Sequence, residues 1–255
     1  MAKKRKYKPL TPKAKFRLAL VIAAGLLILV LLIAALVFAV KGILVLTDKI
    51  WNDEEGLSLP TVFLPAETEP DAVVILDPGH GGSDGGAVAV LDGVEIIEKD
   101  IDMEIAKLVR ALLERENIEV LFTHEEDVDM DLKERTRFAN ENGGDLFVSL
   151  HCNTSEEDAS AEGLECYYEM EGSKGIELAE NIMAAAEATG TIETRELRTE
   201  MMYVVRFTDM PAALVEMGFM TNQDELEKLC RSSYQQILAQ AIADGILETL
   251  EQEGI

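Results

Sequence analysis

Hydrophobic and polar positions divide the chain into an apolar stretch near the N-terminus and a longer region of alternating short patterns. Residues 18–40 contain no charged side chain, whereas from residue 72 onward apolar runs are separated by polar turns. Runs rich in β-branched residues, such as 73–76, predict buried strands. Apolar residues three or four positions apart, such as those within 98–116, predict amphipathic helices.

These patterns predict an α/β fold after residue 72. Strands alternating with helices of this length are typical of a single domain with a mostly parallel twisted sheet flanked by helices. Strands are predicted at 73–76, 118–123, 146–150, 164–168, 203–206 and 212–215. Helices are predicted at 98–116, 132–141, 176–188, after a Thr221 cap through 229, and at 234–250.

The apolar stretch at 18–40 predicts one N-terminal transmembrane helix. At about 1.5 Å per residue its length crosses a hydrocarbon core of about 30 Å. Eight of the 23 Lys and Arg residues lie in segment 1–17, which has no acidic residue. The positive-inside rule therefore places this end in the cytoplasm and the remaining chain outside. A signal peptide cleaved near residue 40 is the alternative, although its apolar region is usually only about 7–15 residues long.

Four segments follow from these patterns. Residues 1–17 form a basic cytoplasmic segment, 18–40 the transmembrane helix, 41–71 an extracytoplasmic linker and 72–255 the folded domain. Proline and acidic residues in the linker favour an extended chain. The sequence therefore predicts a single-pass protein of the cell membrane whose domain is extracytoplasmic.

Charge and cysteine content narrow the function classes. The chain has a formal net charge of −25, and the residues after position 17 combine 15 basic with 48 acidic side chains, a formal charge of −33. Such a body repels phosphates, which argues against nucleic acid as a partner. Cys152, Cys166 and Cys230 are too few for a disulfide scaffold and contain no C-x-x-C spacing. Their redox state is left open by the sequence.

Three polar residues each lie at the carboxyl end of a predicted strand. His80 comes after strand 73–76, His151 directly follows 146–150, and Glu216 directly follows 212–215. The carboxyl ends of parallel strands share one edge of the sheet, where such folds bind ligands. Glu98 begins the helix that crosses back after the first strand, so it points to the same edge.

Two imidazoles and a carboxylate are a donor set that zinc accepts, with a fourth position left open for water. For any single histidine, an exposed or hydrogen-bonded structural role is the alternative interpretation. The shared placement of these side chains favours the metal site.

The chain resembles the zinc-dependent N-acetylmuramoyl-L-alanine amidases of the bacterial cell wall, in their type 3 catalytic domain. The resemblance rests on DPGHGG at 77–82, EKD at 98–100, SLHCN at 149–153 and LVEMGFMTN at 214–222, in this order. It covers roughly residues 72–250.

The resemblance implies a role for each matching residue. His80, Glu98 and His151 correspond to the Zn²⁺ ligands, and Glu216 corresponds to the catalytic carboxylate. It also implies a hydrolase of peptidoglycan, which cleaves the amide between N-acetylmuramic acid and L-alanine of the stem peptide by a water that zinc activates. The helix predicted at 18–40 would anchor this hydrolase in the membrane. The implied partners are peptidoglycan and, through the N-terminal helix, the membrane; no obligate protein partner is indicated. An inactive wall-binding module and a different zinc amidohydrolase or peptidase stay open as alternatives.

Two residues depart from the family pattern. His124 stands where an arginine is usual, and we interpret it as a surface residue or one behind the ligands. Cys152 stands where alanine is usual, and strand alternation predicts that it is buried and faces away from the metal. Asn153 and the stretch 135–140 match the family and are predicted to be structural.

Overall fold

The fold was analysed in a computed structural model that describes residues 69–170 and 174–255. These residues belong to one compact unit, Glu67–Ile255. Its strands are β1 (Ala72–Pro78), β2 (Val88–Leu91), β3 (Val94–Ile97), β4 (Ile118–Phe122), β5 (Leu146–Asn153), β6 (Leu164–Tyr168), β7 (Thr194–Thr199) and β8 (Ala212–Phe219). Its helices are α1 (Glu98–Leu113, extended by a 3-10 turn at Glu114–Glu116), α2 (Leu132–Asn142), α3 (Gly175–Ala188), α4 (Tyr203–Arg206), α5 (Gln223–Leu229) and α6 (Ser232–Glu253).

The predicted N-terminal segments lie almost entirely outside the described residues. This holds for 1–17, for 18–40 and for the linker up to residue 68. In the part of the chain that the structure describes, no helix combines the length and apolarity needed to cross a membrane. The membrane helix and the segment boundaries stay predictions.

Six strands form the central sheet in the order β4-β1-β5-β8-β6-β7, and β2 and β3 form a separate hairpin. Neighbouring strands of the sheet are parallel except for the β6–β8 pair, which is antiparallel. One face of the sheet packs against α1, α3 and α6, and the other against α2 and α4. The predicted α/β class with a mostly parallel sheet between helices is therefore confirmed.

Alternation along the strands explains how the sheet is buried on both faces. In β1, Val74 and Leu76 pack into the larger cluster under α1 and α6, whereas Ile75 packs into the smaller cluster under α2 and α4. Successive side chains of a strand point to opposite faces, so the apolar run serves both clusters. Gly245 lets α6 approach α3, because a Cβ there would lie 2.5 Å from Ile182 Cα.

One predicted strand was wrong, and one predicted helix has a different cap residue. Residues 203–206 form helix α4, not a strand, because Val204 and Val205 are buried together beneath the sheet and this packing overrides their strand preference. The helix predicted from a Thr221 cap begins at Gln223, and the side chain of Asn222 caps it by accepting from two backbone N–H groups.

The pattern also missed three strands. The β2–β3 hairpin turns at Asp92 and Gly93, whose φ angles of 51° and 79° suit a tight two-residue turn. Strand β7 has the polar sequence TRELRT and lies at the sheet edge, so its pairing with β6 rests on the backbone and not on an apolar run.

Candidate metal centre

His80 is presented by a tight loop that follows β1. Its backbone has a φ of 61°, and Arg135 from α2 fixes this bend by donating to the carbonyl oxygens of Pro78, at 2.7 Å, and of His80. The Nδ1 atom of His80 lies 3.0 Å from Asp84 Oδ2. This contact turns Nε2 toward the edge of the sheet, in the arrangement of a metal-binding histidine held by a second carboxylate.

Glu98 and His151 meet His80 at that edge. Glu98 Oε1 lies 3.0 Å from His80 Nε2 and 3.2 Å from His151 Nδ1. The two ring nitrogens are 3.2 Å apart. Backbone N–H groups of Ala87 and Cys152 donate to the two oxygens of Glu98 at 2.6 and 3.1 Å. The carboxylate is therefore fixed by the hairpin, by β5 and by its own helix.

The donor atoms of these three residues fit a zinc ion. Bonds of about 2.0–2.1 Å in a tetrahedral site place ligand atoms about 3.3 Å apart. The three observed separations of 3.0, 3.2 and 3.2 Å are close to this value. Gly79 belongs to the same cradle, because a Cβ there would lie 2.5 Å from His151 Nδ1. The three predicted ligands are thus brought together, with room for the ion but not for an extra side chain.

Asp102 is a fourth member of the cluster that sequence reasoning missed. One donor atom from each of His80, Glu98, Asp102 and His151 lies within 4.8 Å of the others. Asp102 is fully buried one helical turn after Glu98, and within the described residues its Oδ2 has no hydrogen-bond partner. The i, i+4 spacing of two acids on an amphipathic helix was the available signal.

The cluster is electrostatically prepared for a cation. Burial lowers the pKa of His80, but the hydrogen bonds to Glu98 and Asp84 outweigh it and raise that pKa to about 9. Burial raises the pKa of Glu98, yet hydrogen bonds from His151, His80 and the Ala87 N–H hold it well below its usual range. Burial raises the pKa of Asp102, and the charge of Glu98 adds to this effect. A bound dication would replace the protons that His80 and Asp102 otherwise hold.

Glu216 lies next to the three donors on the neighbouring strand. In the register of β5 with β8 it is paired with His151. Its Oε2 is buried without a hydrogen-bond partner among the described residues. Burial raises the pKa of Glu216 to about 7, with the charge of His151 opposing and that of Glu98 reinforcing the shift. Such a carboxyl group exchanges a proton readily near neutral pH.

The remaining predicted residues lie around this centre. Cys152 is buried, as predicted, with Sγ 3.5 Å from Asp102 Oδ1. His124 is not a surface residue: it is buried behind Gly81, with Nδ1 3.2 Å from Thr123 Oγ1. Burial lowers its pKa, with the charge of Arg135 adding to this.

Asn153 and Asn140 make the structural contacts that were predicted for them. Asn153 donates to Glu165 Oε2 at 3.0 Å, and Asn140 bonds the backbone of Phe207 and Asp209. Glu95, the nearest other acid before Glu98, is exposed on β3.

Comparisons with known proteins agree with this geometry. A family model described as N-acetylmuramoyl-L-alanine amidase matches residues 74–248. The uncharacterized protein YqiI of Bacillus subtilis (strain 168) is 35% identical over 193 residues, which cover 75% of this chain and 91% of that protein.

Two relatives carry the activity in their names. The N-acetylmuramoyl-L-alanine amidase LytC of Bacillus subtilis (strain 168) is 33% identical over 174 residues, covering 68% of this chain and 34% of that longer protein. The solved structure of the N-acetylmuramoyl-L-alanine amidase AmiC2 of Nostoc punctiforme superimposes with a TM-score of 0.67 at 36% identity, covering 72% of this chain and 99% of that one.

Proposed function

Because this chain belongs to the N-acetylmuramoyl-L-alanine amidase family and is therefore a peptidoglycan amidase, we propose that it hydrolyses the amide between the lactyl group of N-acetylmuramic acid and L-alanine with a bound Zn²⁺. The observation that carries this proposal is the set of three donor atoms 3.0–3.2 Å apart beside a Glu216 oxygen that has no hydrogen-bond partner in the described part of the chain.

His80 Nε2, Glu98 Oε1 and His151 Nδ1 would hold the metal. Neutral imidazoles and a carboxylate are donors that zinc accepts, and three protein ligands leave one position for water or substrate. When bound, zinc polarises a carbonyl and lowers the pKa of water toward about 7. Asp84 keeps His80 turned toward the centre, and the Cys152 N–H keeps Glu98 Oε1 in place.

Glu216 transfers the proton. Its Oε2 accepts a proton from the attacking water and returns it to the amine of L-alanine as the amide bond breaks. Burial of the carboxyl group, which raises its pKa to about 7, supports this role because such a group exchanges a proton readily near neutral pH. Asp102 and Cys152 are buried on the protein side of the centre, where they exclude water from the space behind the ligands.

We also propose that the enzyme is anchored in the cell membrane with its domain outside. The uninterrupted apolar stretch at 18–40 and the basic cluster at 1–17 support this topology. An anchor of this kind holds the domain close to its polymeric substrate.

Digestion of purified wall fragments by the full-length protein tests the reaction. We expect new N-terminal alanine, abolished by a chelator and restored by zinc. A wall-binding module would release nothing, and a peptidase would free a different amine. Either outcome would overturn the proposed reaction.

A further inference from the structure

A row of polar residues crosses the sheet away from the metal centre. His151 of β5 is paired in register with Glu216 of β8, and Glu216 is paired with Glu165 of β6. Arg195 of β7 continues the row, with Nε 2.5 Å from Glu165 Oε1. The row therefore leads from the metal donors, past the proposed proton-transfer carboxylate, to the exposed edge strand.

Glu165 is a buried residue in the middle of this row. It is 2% exposed, and Asn153, Tyr167 and Arg195 donate to its two oxygens at 3.0, 2.8 and 2.5 Å. Three donors to its two oxygens fix the position of this carboxyl group. Glu165 thereby holds Arg195 in place, and Phe219 adds a cation–π contact 5.2 Å from the guanidinium.

Two arginines expose their guanidinium groups at the end of the row. The side chains of Arg195 and Arg198 are 38% and 41% exposed, and with Glu165 and Glu196 they line a cleft of about 430 Å³. Arg198 lies 3.8 Å from Glu165 and 3.9 Å from Glu200, both beyond hydrogen-bond distance, and its side chain hydrogen-bonds to Tyr167. Among the described residues, the N–H donors of the planar Arg198 fork that do not face Tyr167 are available to a ligand.

We propose that this cleft binds a carboxylate of the stem peptide on the L-alanine side of the scissile amide. The inference rests on the proposed function, and it names the part of the substrate that this side of the site recognises. Stem peptides carry carboxylates, whereas the adjoining sugars present hydroxyl and acetamido groups. An arginine fork binds a carboxylate by paired, charge-assisted hydrogen bonds.

Strand spacing sets which carboxylate reaches the cleft. The backbone of β7 lies two strand spacings from that of β8, or about 10 Å. An extended peptide advances at most about 3.3–3.6 Å per residue. The guanidinium groups reach back from β7 toward Glu165, so a carboxylate on one of the first few residues after L-alanine arrives at the fork.

The two arginines distinguish the cleft from the rest of an acidic protein surface. The residues after position 17 carry a formal charge of −33, which repels a peptide carboxylate from most of the surface. Glu196 also lines the cleft and opposes the two arginines. The arginine N–H donors, not a net positive field, therefore provide the recognition, and Glu196 weakens it.

Steady-state kinetics on two matched muropeptides tests the proposal in the full-length protein. The substrates differ only in having free carboxylates or carboxamides on the residues after L-alanine. We expect the wild type to show the lower KM on the carboxylate form. Arg198→Gln should raise KM on that form about tenfold or more and leave the carboxamide form unchanged, since hydrogen bonds to charged groups are strong. Arg198→Lys should fall between the two.

Two further variants test the opposing charge and provide a control. Glu196→Gln should lower KM on the carboxylate form, because it removes the opposing charge. Arg137→Gln, an exposed arginine of α2 that pairs only loosely with Glu141, should match the wild type on both substrates.

Equal KM values of the wild type on the two substrates would overturn the inference, as would an unchanged preference in Arg198→Gln. Failure of the wild type to release N-terminal alanine from either substrate would instead sink the proposed function.

Discussion

Glu98 contacts more groups of the metal centre than either histidine does. One oxygen faces both imidazole rings and the Cys152 N–H, and the other accepts from the Ala87 N–H at 2.6 Å. As the first residue of α1, it also lies where the helix begins. A change at this position therefore alters the charge of the donor set and the packing of the hairpin on the helix.

The donor set makes a prediction about metal content. We expect about one Zn²⁺ per domain, and His80→Ala or His151→Ala should lower both bound metal and activity because each removes a donor nitrogen. Glu98→Gln keeps an oxygen, so it should weaken binding less. Metal analysis after gel filtration measures this, with the exposed Glu95→Gln as the matched control. Undiminished zinc in His151→Ala would remove that residue from the ligand set.

Glu216→Gln separates proton transfer from metal binding. The amide keeps the size of the side chain but loses the base, so turnover should fall by about 10²–10⁴-fold while zinc content stays the same. Turnover and zinc content are measured on one preparation. Near-normal turnover would show that Glu216 is structural, and loss of zinc together with turnover would make it a ligand.

The buried carboxyl of Glu216 also predicts a pH dependence of stability. Its pKa is raised from 4.5 to about 7 in the fold, so the folded state keeps a proton that the unfolded chain releases between these values. Stability from this group is therefore present at low pH and lost as pH rises toward 7, by at most about 3 kcal/mol. In metal-free protein, Glu216→Gln should raise Tm relative to wild type at pH 8 and much less at pH 5. An equal Tm difference at the two pH values would contradict this assignment.

At the scale of elements, the position of His80 depends on contact between a loop and a helix. Arg135 of α2 donates to Asp77 Oδ1 at 2.8 Å and to the carbonyl oxygens of Pro78, the last residue of β1, and of His80. Asp77 in turn accepts from Thr123, just after β4, and from Ser149 of β5. Helix α2 thus holds the bend that presents the histidine, although it contributes no ligand.

Arg135→Lys should weaken zinc binding without removing a donor. Lysine keeps the charge but cannot bond Asp77, Pro78 and His80 together, so the loop loosens. Loss of a residue that orients a ligand typically lowers metal affinity by about 10–100-fold. Competition with a chromophoric chelator measures the affinity, and the exposed Arg137→Lys on the same helix is the control. Equal zinc affinities in the two variants would show that the contacts of Arg135 serve folding alone.

At the scale of the whole molecule, the asymmetric charge makes a prediction about topology. The basic segment 1–17 and the acidic chain after the apolar stretch predict an N-in, C-out protein in the membrane fraction. Protease added to protoplasts should remove the domain after residue 72. Protection of that domain would reverse the orientation, and release into the medium with a new terminus near residue 40 would favour a signal peptide.

The sequence by itself determined the fold class and the sheet edge at which the predicted site residues meet, because both depend on local order along the chain. Apolar runs specified which strands are buried on both faces, and His80, His151 and Glu216 each follow such a run. The carboxyl ends of parallel strands meet at one edge by geometry, so three distant residues were expected to converge there.

Only the tertiary structure decided which other polar residues join them. Asp102 enters the cluster because α1 packs its buried face on β5; the i, i+4 spacing from Glu98 puts the two acids on one helix face, but only this packing brings that face to the donors. Strand β7 and the contact of Arg195 with Glu165 depend on pairing at the sheet edge, which the polar sequence of β7 does not indicate. The burial that raises the pKa of Glu216 likewise arises from packing between elements far apart in the chain.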